Sequence, residues 1–247
     1  MPTFASIHLG KTAGSAFANL LIKEVSPRMP VLLLYGEDHP LSGLWNKRVK
    51  QSVKSEGRSL AEICLPLLNL SGGGGSCVVQ GHIAASEYLE FLQGDCQFLT
   101  WLRHPLQRIC SHYYFWKNHT SLPPRRVEAR MLFAQVISGE CSLTEFGCSP
   151  VISEYYTRML APLGLDGLAT TALTEHPRVS LRSLSVLLGV QLPENIPLVN
   201  QTPSKQADCY ELTPHEESQI LAFNMTDMDL YKRALARLTT QESSIPA

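Results

Sequence analysis

Two short stretches of this chain combine basic, hydroxyl-bearing and small residues at spacings suited to holding an anion. The first is His8 to Phe17, HLGKTAGSAF. Gly10 and Gly14 permit a tight turn, Lys11 supplies a mobile cation, and Thr12 and Ser15 supply hydroxyls. A helix starting there points unpaired backbone amides and the positive end of its dipole at whatever lies in the turn. Gly10, Lys11, Thr12, Ala13, Gly14, Ser15 and Ala16 are therefore the expected lining of a site for a tetrahedral oxyanion. The nucleotide-triphosphatase pattern GxxxxGK[ST] requires glycine where this chain has Ala5, which weakens a kinase reading. The plain alternative is an ordinary strand–turn–helix joint with an exposed lysine.

The second stretch is Thr100 to Ser111, TWLRHPLQRICS. Arg103 falls at the end of an expected strand, where open α/β sheets bind ligands. Its guanidinium can grip a phosphate in two-pronged fashion, and Ser111, two turns into the next helix and off its apolar stripe, can donate to the same group. Arg108 is a further basic candidate. Two anion turns at the ends of two strands suggest one ligand with two separated anionic groups.

The elements that must position these turns alternate between strand and helix. Thr3–Leu9, Val31–Tyr35, Cys77–Gln80, Gln97–Leu102 and Leu168–Leu173 read as strands. Ser15–Val25 reads as a helix with Phe17, Leu20, Leu21 and Val25 on one face. Leu106–Asn118 is a helix with Pro105 in its first turn, and Ser180–Leu188 is a helix stopped by Gly189. Thr213-Pro-His-Glu216 is a capping box, and the last helix runs to about Leu238 along Met228, Tyr231, Leu235 and Leu238. This alternation implies an α/β protein with a central, mainly parallel sheet flanked by helices on both faces.

The chain has 247 residues, 44% hydrophobic, which fits a single domain spanning 1–247. A formal net charge of -1 gives no global field for nucleic acid or membrane surfaces. No run reaches the length of a membrane span, and no secretory leader precedes the first strand. Seven scattered cysteines without CxxC spacing read as reduced thiols in a cytoplasmic protein. Ser71–Ser76, SGGGGS, has the composition of a flexible loop. Trp101, Trp116 and the Tyr113–Phe115 run read as core, and Arg125, Arg126 and Arg130 as a solvated helix face.

HLGKTAGSAF is similar to the 5′-phosphosulfate loop, and LRHPLQRICSHYY to the 3′-phosphate motif, of sulfotransferases that use 3′-phosphoadenosine-5′-phosphosulfate (PAPS). The likeness is nearest to the carbohydrate group that includes the heparan sulfate 2-O- and 6-O-sulfotransferases. Gln80-Gly81-His82 resembles the segment whose histidine is the catalytic base there. Tyr155–Leu160, YYTRML, resembles a helix segment following the 3′-phosphate motif. Leu198–Lys205, LVNQTPSK, resembles a late loop near the nucleotide. Gly10 stands where the family usually has proline, and His104 where aspartate usually follows the arginine. Tyr35–Ser76 has no counterpart.

The resemblance implies a P-loop-like three-layer fold and transfer of a sulfuryl group to a hydroxyl of a carbohydrate or polar small molecule. Lys11 and His82 are then the catalytic residues: Lys11 stabilises the transferring group and His82 accepts the proton, a task suited to imidazole. Arg103 and Ser111 anchor the 3′-phosphate, and Arg158, Ser204 and Lys205 join the nucleotide site. The donor leaves as 3′,5′-bisphosphoadenosine, the scheme needs no metal, and the partners are a nucleotide donor and a hydroxyl-bearing acceptor. Oligomeric state has no signal here. Two alternatives stay open: an ATP-dependent small-molecule kinase, and an inactive module that keeps the nucleotide pocket.

Overall fold

Successive side chains of a strand point to opposite faces of a sheet, so the apolar runs of the predicted strands offer apolar side chains to both faces. The computed structural model describes residues 2–34, 76–92, 95–120, 124, 127–196 and 210–244. Among the described residues five strands form one sheet: β1 (Thr3–Ile7), β2 (Val31–Leu34), β3 (Cys77–Gly81), β4 (Cys96–Leu102) and β5 (Leu168–Leu173). Their order is β2-β3-β1-β4-β5, and every pairing is parallel. The sheet expected to be mainly parallel is thus parallel in all its pairings among the described residues.

One face of the sheet packs Phe4, Val78, Leu99, Trp101 and Ala172 against α1 (Gly14–Leu20), whose Phe17 and Leu20 are buried. The same face meets Leu181, Leu184 and Leu188 of α7 (Pro177–Leu188). The other face packs Ala5, Ile7, Val79, Phe98, Leu102 and Leu173 against three helices: α2 (Ala85–Phe91), α6 (Tyr155–Leu160) and α9 (Met225–Ser244). Burying both faces is what the apolar runs require, and it gives three layers. A satellite core joins α3 (Pro105–Asn118), α4 (Val127–Ser138), α5 (Leu143–Cys148) and α8 (Pro214–Ala222) through Ile109, Trp116, Phe133, Phe146 and Ile220.

Two helices differ from their expected form. The helix expected over Ser15–Val25 begins at Gly14 and opens into a π turn over Leu21–Val25. There Ser26 N–H bonds Leu21 O, five residues back, and the Ser26 hydroxyl donates to Ile22 O, the local competition that distorts a helix end. The C-terminal run is two helices, broken at Phe223–Asn224. Buried Asn224 donates its amide to Gly147 O and Ile220 O, ending α8, and its own carbonyl accepts Met228 N–H, beginning α9.

Candidate anion-binding site

Because β1 is central, with β3 on one side and β4 on the other, the residues following these three strands share the carboxyl edge of the sheet. Ile7 is level with Gly81 of β3 and with Thr100 of β4. The Lys11 turn, His82 and Arg103 leave from that edge. They meet there because the connection from β3 to β4 crosses β1, and such a crossing opens a crevice at the carboxyl ends.

The first turn is built by two left-handed residues, Lys11 (φ 69°) and Ala13 (φ 64°). The two non-glycine positions thus carry the unusual backbone, a strained conformation of the kind found at binding turns. Gly14 answers a different need. A Cβ there would lie 1.8 Å from the His8 ring, so the glycine lets α1 start against that histidine. Thr12 is wholly buried and its hydroxyl donates to Leu9 O at 2.7 Å, closing the turn from inside. Its contribution to a ligand therefore comes from its backbone. Gln80 locks the turn from below, donating to Gly14 O at 3.0 Å while its carbonyl accepts the Ser6 hydroxyl at 3.2 Å.

Lys11 rests its ammonium on the face of Phe115, 3.9 Å from the ring centroid. Burial first, and the neighbouring Arg103 charge second, lower its pKa to about 8. Arg103 lies at the end of β4 and its guanidinium sits 5.9 Å from the Tyr210 ring. Its backbone is held on both sides by one phenol: Tyr156 Oη donates to Arg103 O at 2.7 Å and accepts Arg103 N–H at 3.2 Å. Ser111 is buried on α3, and among the described residues its hydroxyl makes no hydrogen bond. Arg108 is buried, 1% exposed, with one guanidinium N–H donated to Ile152 O at 2.9 Å. Among the described residues no carboxylate pairs with Lys11, Arg103 or Arg108. Lys11 and Arg103, with no carboxylate partner among the described residues, repel one another, and an anion between them would relieve that repulsion.

His82 is exposed on the same edge. Gly81, just ahead of it, lets β3 close on β2, since a Cβ at Gly81 would lie 2.4 Å from Leu34 O. The His82 ring stacks on His8 with centroids 4.0 Å apart, and its Nδ1 lies 2.9 Å from His8 O. A carbonyl only accepts, so Nδ1 carries the proton and Nε2 presents the lone pair. That tautomer equips His82 to take a proton from a bound hydroxyl.

The remaining expected residues are placed less directly. Ser15 and Ala16 lie in the first turn of α1. Arg158 turns its guanidinium onto the carbonyls of Pro150, Val151 and Ser153, where it braces the segment leading into α6. Ser204, Lys205, Ser71 and the glycine run from 72 to 75 lie outside the described residues. Phe115 packs against the satellite core, as its run predicts, and also carries the Lys11 ammonium, a contact with no signal in the sequence; nor has the sequence any signal for the Tyr155 hydroxyl accepting Gly10 N–H at 3.4 Å.

Fold and edge together define an α/β protein with cationic turns at the carboxyl ends of a parallel sheet. No family model matches the chain, and no curated protein does. A solved structure similar to it is the crystal structure of a sulfotransferase from Alicyclobacillus acidocaldarius. The two are 15% identical, with a TM-score of 0.48 over 97% of this chain and 96% of that one.

Proposed function

We propose that this protein is a PAPS-dependent sulfotransferase acting on a hydroxyl of a carbohydrate or polar small molecule. One observation carries the reading. Lys11, His82 and Arg103 follow three neighbouring parallel strands, and neither cation is neutralised by a carboxylate among the described residues. Two cationic turns on adjacent strands suit a ligand charged at both ends, as an adenosine 3′,5′-bisphosphate is. The resemblance of both turns to the family's nucleotide motifs supports the same ligand.

The donor supplies a sulfuryl group on a phosphate leaving group. The S–O bond to that phosphate breaks as a bond from the acceptor oxygen to sulfur forms. Lys11 and the amides at the start of α1 are aimed where negative charge grows, and they are already in place, so little reorganisation opposes the step. Arg103 and Ser111 hold the 3′-phosphate and fix the donor's register. His82 Nε2 takes the acceptor proton. Arg158, Ser204 and Lys205 complete the nucleotide site in this reading. The cytoplasmic setting expected from the cysteines belongs to the same proposal; Cys77, Cys96, Cys110, Cys141 and Cys148 are free thiols. Among the described residues no helix is long and apolar enough to cross a membrane.

Calorimetry of 3′,5′-bisphosphoadenosine against ADP, with and without magnesium, tests the donor. The expected result is a preference for the bisphosphate that is indifferent to the metal. A preference for ADP with magnesium would replace this reading with a kinase. Transfer of labelled sulfate across a panel of hydroxyl acceptors tests the chemistry, and tight nucleotide binding with no transfer would leave only a binding module.

A further inference from the structure

Tyr155 and Tyr156 are neighbours at the start of α6, and each reaches one of the two anion turns. Their hydroxyls differ in one respect. Tyr156 Oη is used twice, as donor to Arg103 O and as acceptor of Arg103 N–H, and is a strut. Tyr155 Oη accepts Gly10 N–H, and its own proton has no acceptor among the described residues. We propose that Tyr155 is a ligand-contacting residue of the Lys11 turn, its hydroxyl donating to an oxygen of the anion held there. This rests on reading that turn as an anion site.

The position favours that role over chance exposure. Oη lies against the turn itself, 3.8 Å from where a Cβ on Gly10 would stand. The Arg108 guanidinium, which has no carboxylate partner among the described residues, stands 5.0 Å from the Tyr155 ring. A hydroxyl whose oxygen already accepts an amide proton is a better donor onward, because bonds in a chain polarise one another. Gly10 matters here for its N–H, which a proline in the same place would lack.

The backbone on either side of Tyr155 is also held in place before any ligand arrives. Asp227, fully buried, accepts Tyr156 N–H and Thr157 N–H at 2.9 Å each, and the Thr157 hydroxyl at 2.9 Å. Glu154, just ahead of Tyr155, is left-handed (φ 49°), with its N–H on Asn224 Oδ1 and its carboxylate on the Thr226 hydroxyl. The start of α6 is therefore fastened to α9, and it offers the Lys11 turn a donor that needs no ordering on binding.

Tyr155→Phe removes the hydroxyl and keeps the ring, so it separates the two roles. Calorimetry with pyrophosphate and with 3′,5′-bisphosphoadenosine is the measurement, alongside the thermal unfolding midpoint. Y155F is expected to bind both ligands about 10-fold more weakly, the loss of one charge-assisted hydrogen bond, with an unchanged midpoint. Equal binding by wild type and variant overturns the assignment. So does weaker binding that comes with a lowered midpoint, since that marks the hydroxyl as a strut. Pyrophosphate binding that weakens in Y155F, with no preference for the 3′-phosphorylated nucleotide, keeps Tyr155 and removes the proposed reaction. A wild-type protein that binds neither ligand removes both.

Discussion

The Lys11 ammonium sits 3.9 Å from the centroid of the Phe115 ring, and this contact ties the two cationic turns together. Phe115 lies four residues beyond Ser111 on α3, so both project from one face of that helix. The helix that leaves the Arg103 turn thus carries the ring on which the other turn's lysine rests. A cation on an aromatic face is attracted to it yet loses water there, and the loss is what lowers the lysine's pKa.

Anion binding should therefore depend on pH through Lys11. Its pKa of about 8 lies below the ordinary lysine value, so the charged form prevails below about pH 8 and is lost as pH rises through it. A bound anion favours the charged form and raises that pKa. Affinity for 3′,5′-bisphosphoadenosine is expected to be level up to about pH 8 and then to fall by up to about tenfold per pH unit. Binding above pH 8 should take up a proton, seen as a dependence of calorimetric heat on the buffer's ionisation enthalpy. Lys11→Ala should abolish both the pH dependence and turnover, and cost roughly 1.5–3 kcal/mol of binding. A Lys11→Ala protein that still shows the proton uptake would place the titrating group elsewhere.

His82 is expected to act in the chemical step alone. His82→Ala should lower kcat by roughly 10²–10⁴ while donor affinity stays near that of the wild type. His82→Gln sets a harder test, because an amide can keep the bond to His8 O that now fixes the ring and yet cannot take a proton. If Gln restores turnover, His82 positions the acceptor and is not the base. Single-turnover measurements with saturating donor separate these outcomes.

Much of the fold is legible in the sequence because buried parallel strands write themselves as short apolar runs. Leu168–Leu173 is found with the bounds it was read with, and Gly189 stops α7 in the left-handed conformation expected of a helix-ending glycine. Boundaries fail where a side chain serves two ends. Ser180 reads as a helix start, but α7 begins at Pro177, and the Ser180 hydroxyl turns back to bond both Leu173 N–H and Leu173 O. The short α5 lies outside the expected helices although its signal is present: Ser142 and Glu145 form a capping box, each side chain bonded to the other's backbone.

The cationic turns are legible because their residues are local to each turn. What stays hidden is whatever depends on the sheet bringing distant segments together. Nothing in Tyr155 or Phe115 as sequence points to the Lys11 turn, since 145 residues separate Tyr155 from Gly10. Arg158 is held by residues close to it in the chain, its guanidinium donating to three carbonyls of its own loop.

Arg103 should carry the preference for a 3′-phosphate. Arg103→Ala is expected to weaken 3′,5′-bisphosphoadenosine by roughly 1.5–3 kcal/mol, about one to two decades in Kd, and to leave adenosine 5′-phosphate nearly unchanged. Arg103→Lys keeps the charge and loses the two-pronged grip, so it should recover only part of the loss. Equal weakening of both nucleotides would mean that Arg103 acts on the 5′ end, beside Lys11. Titration of the two ligands against the three proteins decides it.

Gly14 tests whether the turn and the base depend on one packing arrangement. An added methyl would fall 1.8 Å from both Cδ2 and Nε2 of His8 and 2.5 Å from Cε1, so the ring must move. His8 is buried and stacked on His82, and its backbone carbonyl accepts the His82 proton. Gly14→Ala is expected to destabilise the fold by about 1–3 kcal/mol through overpacking, read from urea unfolding. Turnover should fall further than donor binding, because the displaced ring is the one His82 leans on. His8→Ala in the same chain should relieve the clash and recover stability, yet without the stacked partner it should not recover the rate. A double variant with full turnover would show that His82 holds its orientation without His8.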